Sequence, residues 1–444
     1  MSQDSIPGSP HRSIVQKCVG ALTWGVLIVA TVVAIIPNSL STLYGLTSQS
    51  ALDNADSAAR RAARGETVTQ TVPCRSTPLR IAPEAGLQDV VSSDDVATVL
   101  CQALPLWHPP SVPSVYHSLK LWGPESDFTE AMVGDLATSG NEWLKIVTND
   151  AACRELTVPV GDSYLLDSPY GIRVVLAGTA DAVEYRAEAH YGQLLMLLGE
   201  AGVPSTFPVV TESGKEGTVE DVYRDAVLRF SLAHEPEFMA CALAYWHAPK
   251  KTWRNRLGEE YSFDDVIGTL LDRPFGEGSC GGCHAPYSVV VILRVDEEHG
   301  LLSPAMRKRA EDWLRTLCDR LEARQSESGA WGADWGETGM MWRDEVLDRI
   351  TVTGHHLEWI ALAPKHLRPS REAIARAVVS LRSDVEALQP LPYRSFKTLL
   401  PVSHAARALA LCRGEDPYEA WVAYWNDGRI EKTPRGYRIG SPTD

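Results

Sequence analysis

One uncharged run stands apart from the rest of the chain. Cys18 to Ile36 (CVGALTWGVLIVATVVAII) is nineteen residues without a charged side chain. At about 1.5 Å per residue, such a helix comes close to crossing the roughly 30 Å hydrocarbon core of a bilayer. The pattern predicts a transmembrane helix over residues 18–37, preceded by a short tail, 1–17; a cleaved signal peptide is the rival reading, for which the run is long and no small-x-small site follows closely. Residues 38–70 are polar and rich in Ala, Ser and Thr. Within them Ala51 to Arg64 (ALDNADSAARRAAR) has helix-forming composition but no strong apolar face, and the segment reads as a stalk. Residues 71–180 read as a mixed α/β leading segment. Short helical patterns there alternate with prolines, and Tyr164 to Thr179 (YLLDSPYGIRVVLAGT) suggests a strand pair around Ser168-Pro169-Tyr170-Gly171.

From Asp181 onward the period is helical. His190 is followed by YGQLLMLLGEAGV, His284 by APYSVVVILRVDEE, His355 and His356 by LEWIALAP, and His404 by AARALALC. Each unit reads as a histidine opening an apolar helix. Longer amphipathic helices lie between them, such as Ser303 to Arg324 (SPAMRKRAEDWLRTLCDRLEAR), where Ser303 can cap the N-terminus and Pro304 fits the first turn. Apolar helices alternating with amphipathic ones predict two layers, an inner one buried on most sides and an outer one with a wet face. Helix pairs that each leave apolar surface uncovered must stack on neighbours or close on themselves. The expected fold class is therefore mainly α, an α/α toroid (barrel) of helical-hairpin repeats over residues 181–444. Inner helices of such a ring run parallel. His190, His284, His356 and His404 would then converge on one mouth of a central cavity.

Charge adds direction and excludes one class of partner. Arg12 and Lys17 precede the uncharged run, and no Lys or Arg follows it until Arg60. The positive-inside bias places the N-terminus in the cytoplasm and the main domain outside it. A formal charge of −15 argues against a nucleic-acid surface. Eight of the nine cysteines lie beyond the anchor, and an even number in an exported domain permits disulfides. Cys241, Cys318 and Cys412 sit in apolar helical patterns, as plain buried thiols do.

The stretch GEGSCGGCHAP, Gly276 to Pro286, concentrates the candidate chemistry. Cys280-x-x-Cys283-His284 has the spacing of a c-type haem attachment, in which two thiols add to the vinyl groups and the imidazole binds iron. It is equally half of a metal site. His284, His356 and Cys283 would be ligands, with His190, His355, His404 and Cys280 as alternatives, since neutral imidazole and thiolate suit Zn²⁺ and three protein ligands leave a position open for water. A Cys280–Cys283 disulfide is the third reading. His190, His284, His356 and His404 are the candidate catalytic residues. Trp246, Trp253, Trp331, Trp335, Trp342 and Trp359 could line an apolar or glycan-binding cavity, or simply pack the core.

Gln325 to Trp331 (QSESGAW) follows an amphipathic helix. It resembles the QW motif of squalene-hopene and oxidosqualene cyclases. That resemblance implies a structural role for Gln325 and Trp331, tying a loop to neighbouring helix ends. It also implies the α/α toroid that those cyclases share with protein prenyltransferase β subunits. The cyclases' Asp-x-Asp-Asp signature is absent, and Asp264-Asp265 is a mere pair.

Three functions fit these patterns: a membrane-anchored enzyme acting on an apolar or glycan substrate, a non-catalytic binding or scaffold module, and a c-type cytochrome-like electron carrier. The topology is directly testable. Protease added to spheroplasts is expected to digest the main domain, and a domain left untouched would overturn the single-pass, N-in arrangement.

Overall fold

Several helices begin where a Ser or Thr closes a hydrogen-bonded box with a residue three positions on, and this local chemistry sets the rhythm of the chain. The computed structural model describes residues 71–104, 110–134, 137–157, 163–177, 186–337, 345–388, 396–433 and 436–440. The expected tail, membrane helix and stalk, residues 1–70, lie outside these. Among the described residues no helix is long and apolar enough to cross a membrane.

The chain is mainly helical, with fifteen α-helices and ten short strands among the described residues. It opens with α1 (Ser93–Ala103) and α2 (Val112–Trp122). Strand β1 (Asp127–Phe128), helix α3 (Glu130–Val133) and strand β2 (Thr138–Ser139) lead into α4 (Gly140–Thr148) and α5 (Asp150–Leu156). Strands β3 (Leu165–Ser168) and β4 (Gly171–Val174) form the expected strand pair, with Ser168 opposite Gly171 across the turn. Next come α6 (Gln193–Glu200), β5 (Pro208–Val210), β6 (Glu216–Thr218), α7 (Val219–Arg229) and α8 (Glu237–His247). Strands β7 (Thr252–Arg254) and β8 (Glu260–Ser262) precede α9 (Phe263–Leu271). Helices α10 (His284–His299), α11 (Pro304–Arg324), α12 (Glu345–Leu362), α13 (Arg371–Ala387), α14 (Phe396–Arg413) and α15 (Pro417–Asn426) follow. The hairpin of β9 (Ile430–Thr433) and β10 (Gly436–Ile439) comes last. Every sheet is a two-stranded antiparallel ribbon.

Three of these hairpins end in a capping box that starts the next helix. Ser139 pairs with Glu142 at α4, Thr218 with Asp221 at α7, and Ser262 with Asp265 at α9. In each, the acidic side chain accepts from the cap residue's backbone N–H, at 2.9, 2.9 and 2.8 Å respectively. The box satisfies amides that the helix start would otherwise leave unpaired. The strand, box and helix thus form a unit used three times.

Six helices supply most of the core. α2 packs on α6, α6 on α8, α8 on α10, α10 on α12, α12 on α14, and α14 on α2. The amphipathic helices pack behind them: α4 on α2, α9 on α8 and α10, α11 on α10, α13 on α12, and α1 on α14. Helices α1 and α2 from the leading segment are thus integral to the packing, and all described residues belong to one compact unit. Helices α12 and α14 approach closely at Gly354, where a Cβ would stand 3.0 Å from the Ala405 backbone nitrogen. That glycine lets α12 and α14 meet almost backbone to backbone.

Gln325 and Trp331 knit the outer layer to the inner one. The Gln325 side-chain amide donates to the carbonyls of Gly329 and Ala373, both at 2.8 Å, tying the end of α11 to α13. Trp331 is fully buried, and its indole N–H donates to Leu321 at 2.9 Å. Trp331→Ala is expected to cost about 3–5 kcal/mol through lost burial and a cavity. Urea unfolding of the variant beside the wild type measures it, and a change under about 1 kcal/mol would show that the loop is not an anchor.

Candidate functional site

Five of the six core helices, α2, α6, α8, α10 and α14, share a direction. Their N-terminal residues Pro113, Gln193, Phe238, His284 and Leu400 line one cavity of about 510 Å³. Residues further along the same helices, Trp122, Glu200, Tyr245, Tyr287 and Leu411, line a second cavity of about 880 Å³. Lys120, Leu197 and Glu200 border both. The first cavity holds the histidines.

Glycines shape its wall. Gly278 sits at φ +115°, and a Cβ there would fall 2.2 Å from a Glu237 carboxylate oxygen. Gly282, at φ +77°, lies so close to Gly276 that a Cβ would be 2.7 Å from its backbone. The loop therefore folds tightly against itself ahead of α10. Cys280 takes φ +50°, a left-handed conformation uncommon outside glycine, and its thiol borders the cavity.

Cys280, His284 and His355 form the densest group. Their Sγ and ring nitrogens all lie within 4.8 Å of one another. The two Nε2 atoms of His284 and His355 are 3.2 Å apart. Two nitrogens bound to one tetrahedral zinc at roughly 2.05 Å would be separated by roughly 3.3 Å. The His355 Nδ1 lies 2.7 Å from the Thr351 carbonyl. That bond fixes the ring as the Nδ1–H tautomer and turns the Nε2 lone pair toward His284, as second-shell contacts of metal ligands do.

Other histidines crowd the group. The His404 ring lies 3.7 Å from that of His355, centroid to centroid, and its Nδ1 is 3.0 Å from Glu358. His117 meets His404 edge-on at 5.2 Å. His190 stands 6.3 Å from His284 with its ring flat on Phe238, and its Nδ1 is 2.6 Å from Glu235. Ser279 donates to the other oxygen of that carboxylate. Burial pushes Glu235 upward, but its bonds with His190 and Ser279, with the Arg273 guanidinium nearby, outweigh it and hold the carboxyl below its ordinary range. The remaining His190 nitrogen, Nε2, is free of that carboxylate.

Burial holds four of these imidazoles, His117, His284, His355 and His404, neutral. His284 and His404 are lowered well below the ordinary value by burial first and neighbouring His355 second. His117 and His355 are lowered to about 4, again chiefly by burial. Neutral imidazole is the form a metal ion requires. Burial also pushes the Cys280 thiol up to about 12. A bound cation would reverse that shift, because coordination deprotonates the thiol.

Beneath the histidines lies a polar layer to which each core helix contributes. Glu358 of α12 accepts from His404 and Arg407 of α14, the latter at 3.1 Å, and faces Lys120 of α2 at 3.5 Å. Arg407 also reaches Glu200 of α6 at 3.4 Å. Tyr287 of α10 and Tyr245 of α8 donate to Glu200 at 2.5 and 3.3 Å. Burial raises Glu358, but the cations Lys120 and Arg407, with His404, more than offset it and hold the carboxyl well below its ordinary range.

The sequence expectations divide cleanly. His190, His284, His404 and Cys280 line one cavity. His190 precedes α6 and His284 opens α10, whereas His355, His356 and His404 sit well inside their helices. His356 does not join the group. It is packed among Trp331, Trp335 and Trp359, with Nδ1 accepting from the Trp359 indole at 3.0 Å. One residue along a helix is a turn of about 100°, so His355 instead meets His284 and His404, which line the cavity. Cys283 is likewise absent from the metal-like group and fully buried in the core. With Cys280 on the cavity and Cys283 in the core, the pair does not present two thiols to one haem edge. All eight described cysteines are free. Trp246, Trp331, Trp335 and Trp359 are core residues, neither they nor Trp253 lines the first cavity, and Trp342 lies outside the described residues. His117, Lys120, Glu200, Glu235, Glu358 and Arg407 emerge only from the fold.

No family model, no curated protein and no solved structure matches the chain.

The neutral histidines make stability sensitive to acid. His117 and His355 bind protons in the unfolded chain at the ordinary value near 6.5 but resist them to about 4 when folded; His356 resists to about 3. The unfolded state therefore binds more protons, and folding stability drops as pH falls below about 6.5, by about 1.4 kcal/mol per pH unit for each such histidine. Denaturation midpoints of metal-stripped protein at pH 7 and pH 5 are expected to show this loss. Equal midpoints would mean that the rings are hydrated and free to protonate.

Proposed function

We propose that the chain is a metal-dependent enzyme built on an α/α toroid and tethered by residues 18–37 to the outer face of a membrane, acting on a small molecule held in the first cavity. One observation carries the reading: Cys280, His284 and His355 bring a sulfur and two imidazole nitrogens within 4.8 Å of one another beside a cavity of about 510 Å³. That volume falls within the roughly 300–1,000 Å³ of small-molecule sites. The toroid is supported by the packing order of the six core helices, which returns from α14 to α2.

Sulfur and imidazole donors suit zinc best among the common divalent ions. Three protein ligands would leave its fourth position open, where zinc lowers the pKa of a bound water to about 7. The protein's own part is to fix that position and to move a proton. Thr351 holds His355 in the ligating tautomer. His190, its Nδ1 taken by Glu235, has the arrangement of a general base oriented by a carboxylate. The apolar walls, among them Met196, Leu197, Phe238 and Leu400, limit water around the open position. Activation of water or another small nucleophile beside a bound substrate is the chemistry this set supports.

Elemental analysis of the purified full-length chain tests the reading. One zinc per chain is expected, lost in Cys280→Ser, His284→Ala and His355→Ala and retained in His356→Ala. Metal content at background, or unchanged in all four variants, would leave a binding module as the better description.

A further inference from the structure

We infer that the first cavity takes an amphiphile with a single carboxylate head, which meets the Lys120 ammonium while an apolar body lies along Met196, Leu197, Phe238 and Leu400. The inference rests on the reading of this cavity as the substrate site.

Lys120 is the only Lys or Arg lining that cavity among the described residues. Its side chain is 13% exposed, and its nearest carboxylate, Glu358, stands 3.5 Å away. Glu358 is already better served: His404 approaches it at 3.0 Å and Arg407 at 3.1 Å. The Lys120 ammonium has three donors. Its recorded contacts among the described residues are that one ion pair and the Tyr287 ring face, 5.0 Å from the centroid. A nearly buried ammonium without hydrogen bonds is costly. An acceptor arriving through the cavity would relieve that cost. Arg407, by contrast, is engaged by Glu358, Glu200 and Tyr287.

The number of charges selects the head. Glu200 also borders the cavity, but its two oxygens are taken by Tyr287, Tyr245 and Arg407. One ammonium with spare donors therefore matches one negative charge, not two. The second cavity also reaches Lys120 and adds Arg80 and Arg407, but its wall carries Glu125, Glu200, Glu415, Asp416 and Glu419, and this excess of acidic side chains repels a carboxylate. The first cavity supplies the apolar wall that an amphiphile needs.

Calorimetric titration of the full-length chain, held in lipid nanodiscs with empty nanodiscs as reference, compares octanoate, octanol and octylammonium. Octanoate is expected to bind at least about tenfold tighter than octanol, the worth of one charge-assisted hydrogen bond, and octylammonium weakest of the three. Lys120→Met should bring octanoate down to the affinity of octanol, and Lys120→Arg should keep the preference. Thermal unfolding checks that both variants are folded. The titrations are run on zinc-loaded and on chelator-stripped protein. A preference that persists in Lys120→Met but vanishes on stripping places the carboxylate on the metal, which overturns the Lys120 assignment and leaves the metal reading intact. A Lys120-dependent preference in protein that takes up no zinc supports the inference and removes the metal reading. Equal affinity of the wild type for octanoate and octanol, or no binding of either, overturns the inference.

Discussion

The Glu358 carboxylate is wholly removed from water, and the arrangement of the six core helices answers to it. An isolated buried carboxylate is untenable; it must be paired and hydrogen-bonded. Lys120 comes from α2, and His404 and Arg407 come from α14. Arg407 then draws in Glu200 of α6, and Glu200 draws in Tyr245 of α8 and Tyr287 of α10. A register slip in any one of these helices would strand a charge. Apolar packing alone is more permissive, since many combinations of Leu, Val and Ala fill a core equally well. The polar layer thus specifies one alignment out of several that burial would tolerate, and it forms the floor on which the histidines stand.

The same low-dielectric setting gives the histidines their chemistry. Burial makes the rings of His284, His355 and His404 neutral ligands rather than cations. Crowding places them at ligand spacing. Neither property belongs to a histidine by itself. The contrast is His356, equally buried but walled in by three tryptophans, with Nε2 unpartnered. The helix carries two adjacent imidazoles, and its phase decides which one joins Cys280 and His284.

That contrast marks how far the sequence could be read. The alternation of apolar and amphipathic helices was legible, because it is a one-dimensional consequence of which faces are buried. His190, His284 and His404 could be singled out because each precedes an apolar run, although only the first two stand at helix starts. Choosing His356 over His355 was a phase error, and phase depends on where α12 begins and what it packs against. His117 went unnoticed because its helix lies in a proline-bearing segment that did not read as part of the helical repeat. Lys120, Glu358 and Arg407 look in sequence like ordinary surface charges, and only tertiary packing makes them interior. One signal was present and unused: Ser139-x-x-Glu142, Thr218-x-x-Asp221 and Ser262-x-x-Asp265 are capping boxes readable from the sequence.

Those boxes also divide the molecule's two ends into different kinds of surface. Each of the three hairpins follows the last turn of a core helix, α2, α6 or α8, and so leaves from the end where Gly123, Pro124, Ala201 and Gly202 border the second cavity. Cys280, His284 and Glu235 all precede or begin core helices, at the other end. Insertions and exchanges in the hairpin turns can therefore accumulate without disturbing the reactive groups, as long as each box still starts its helix. Selection for new chemistry, in turn, can work on the Gly276–Cys283 side alone. The scaffold separates the residues that evolution can tinker with for specificity from those it must keep so that the chain folds.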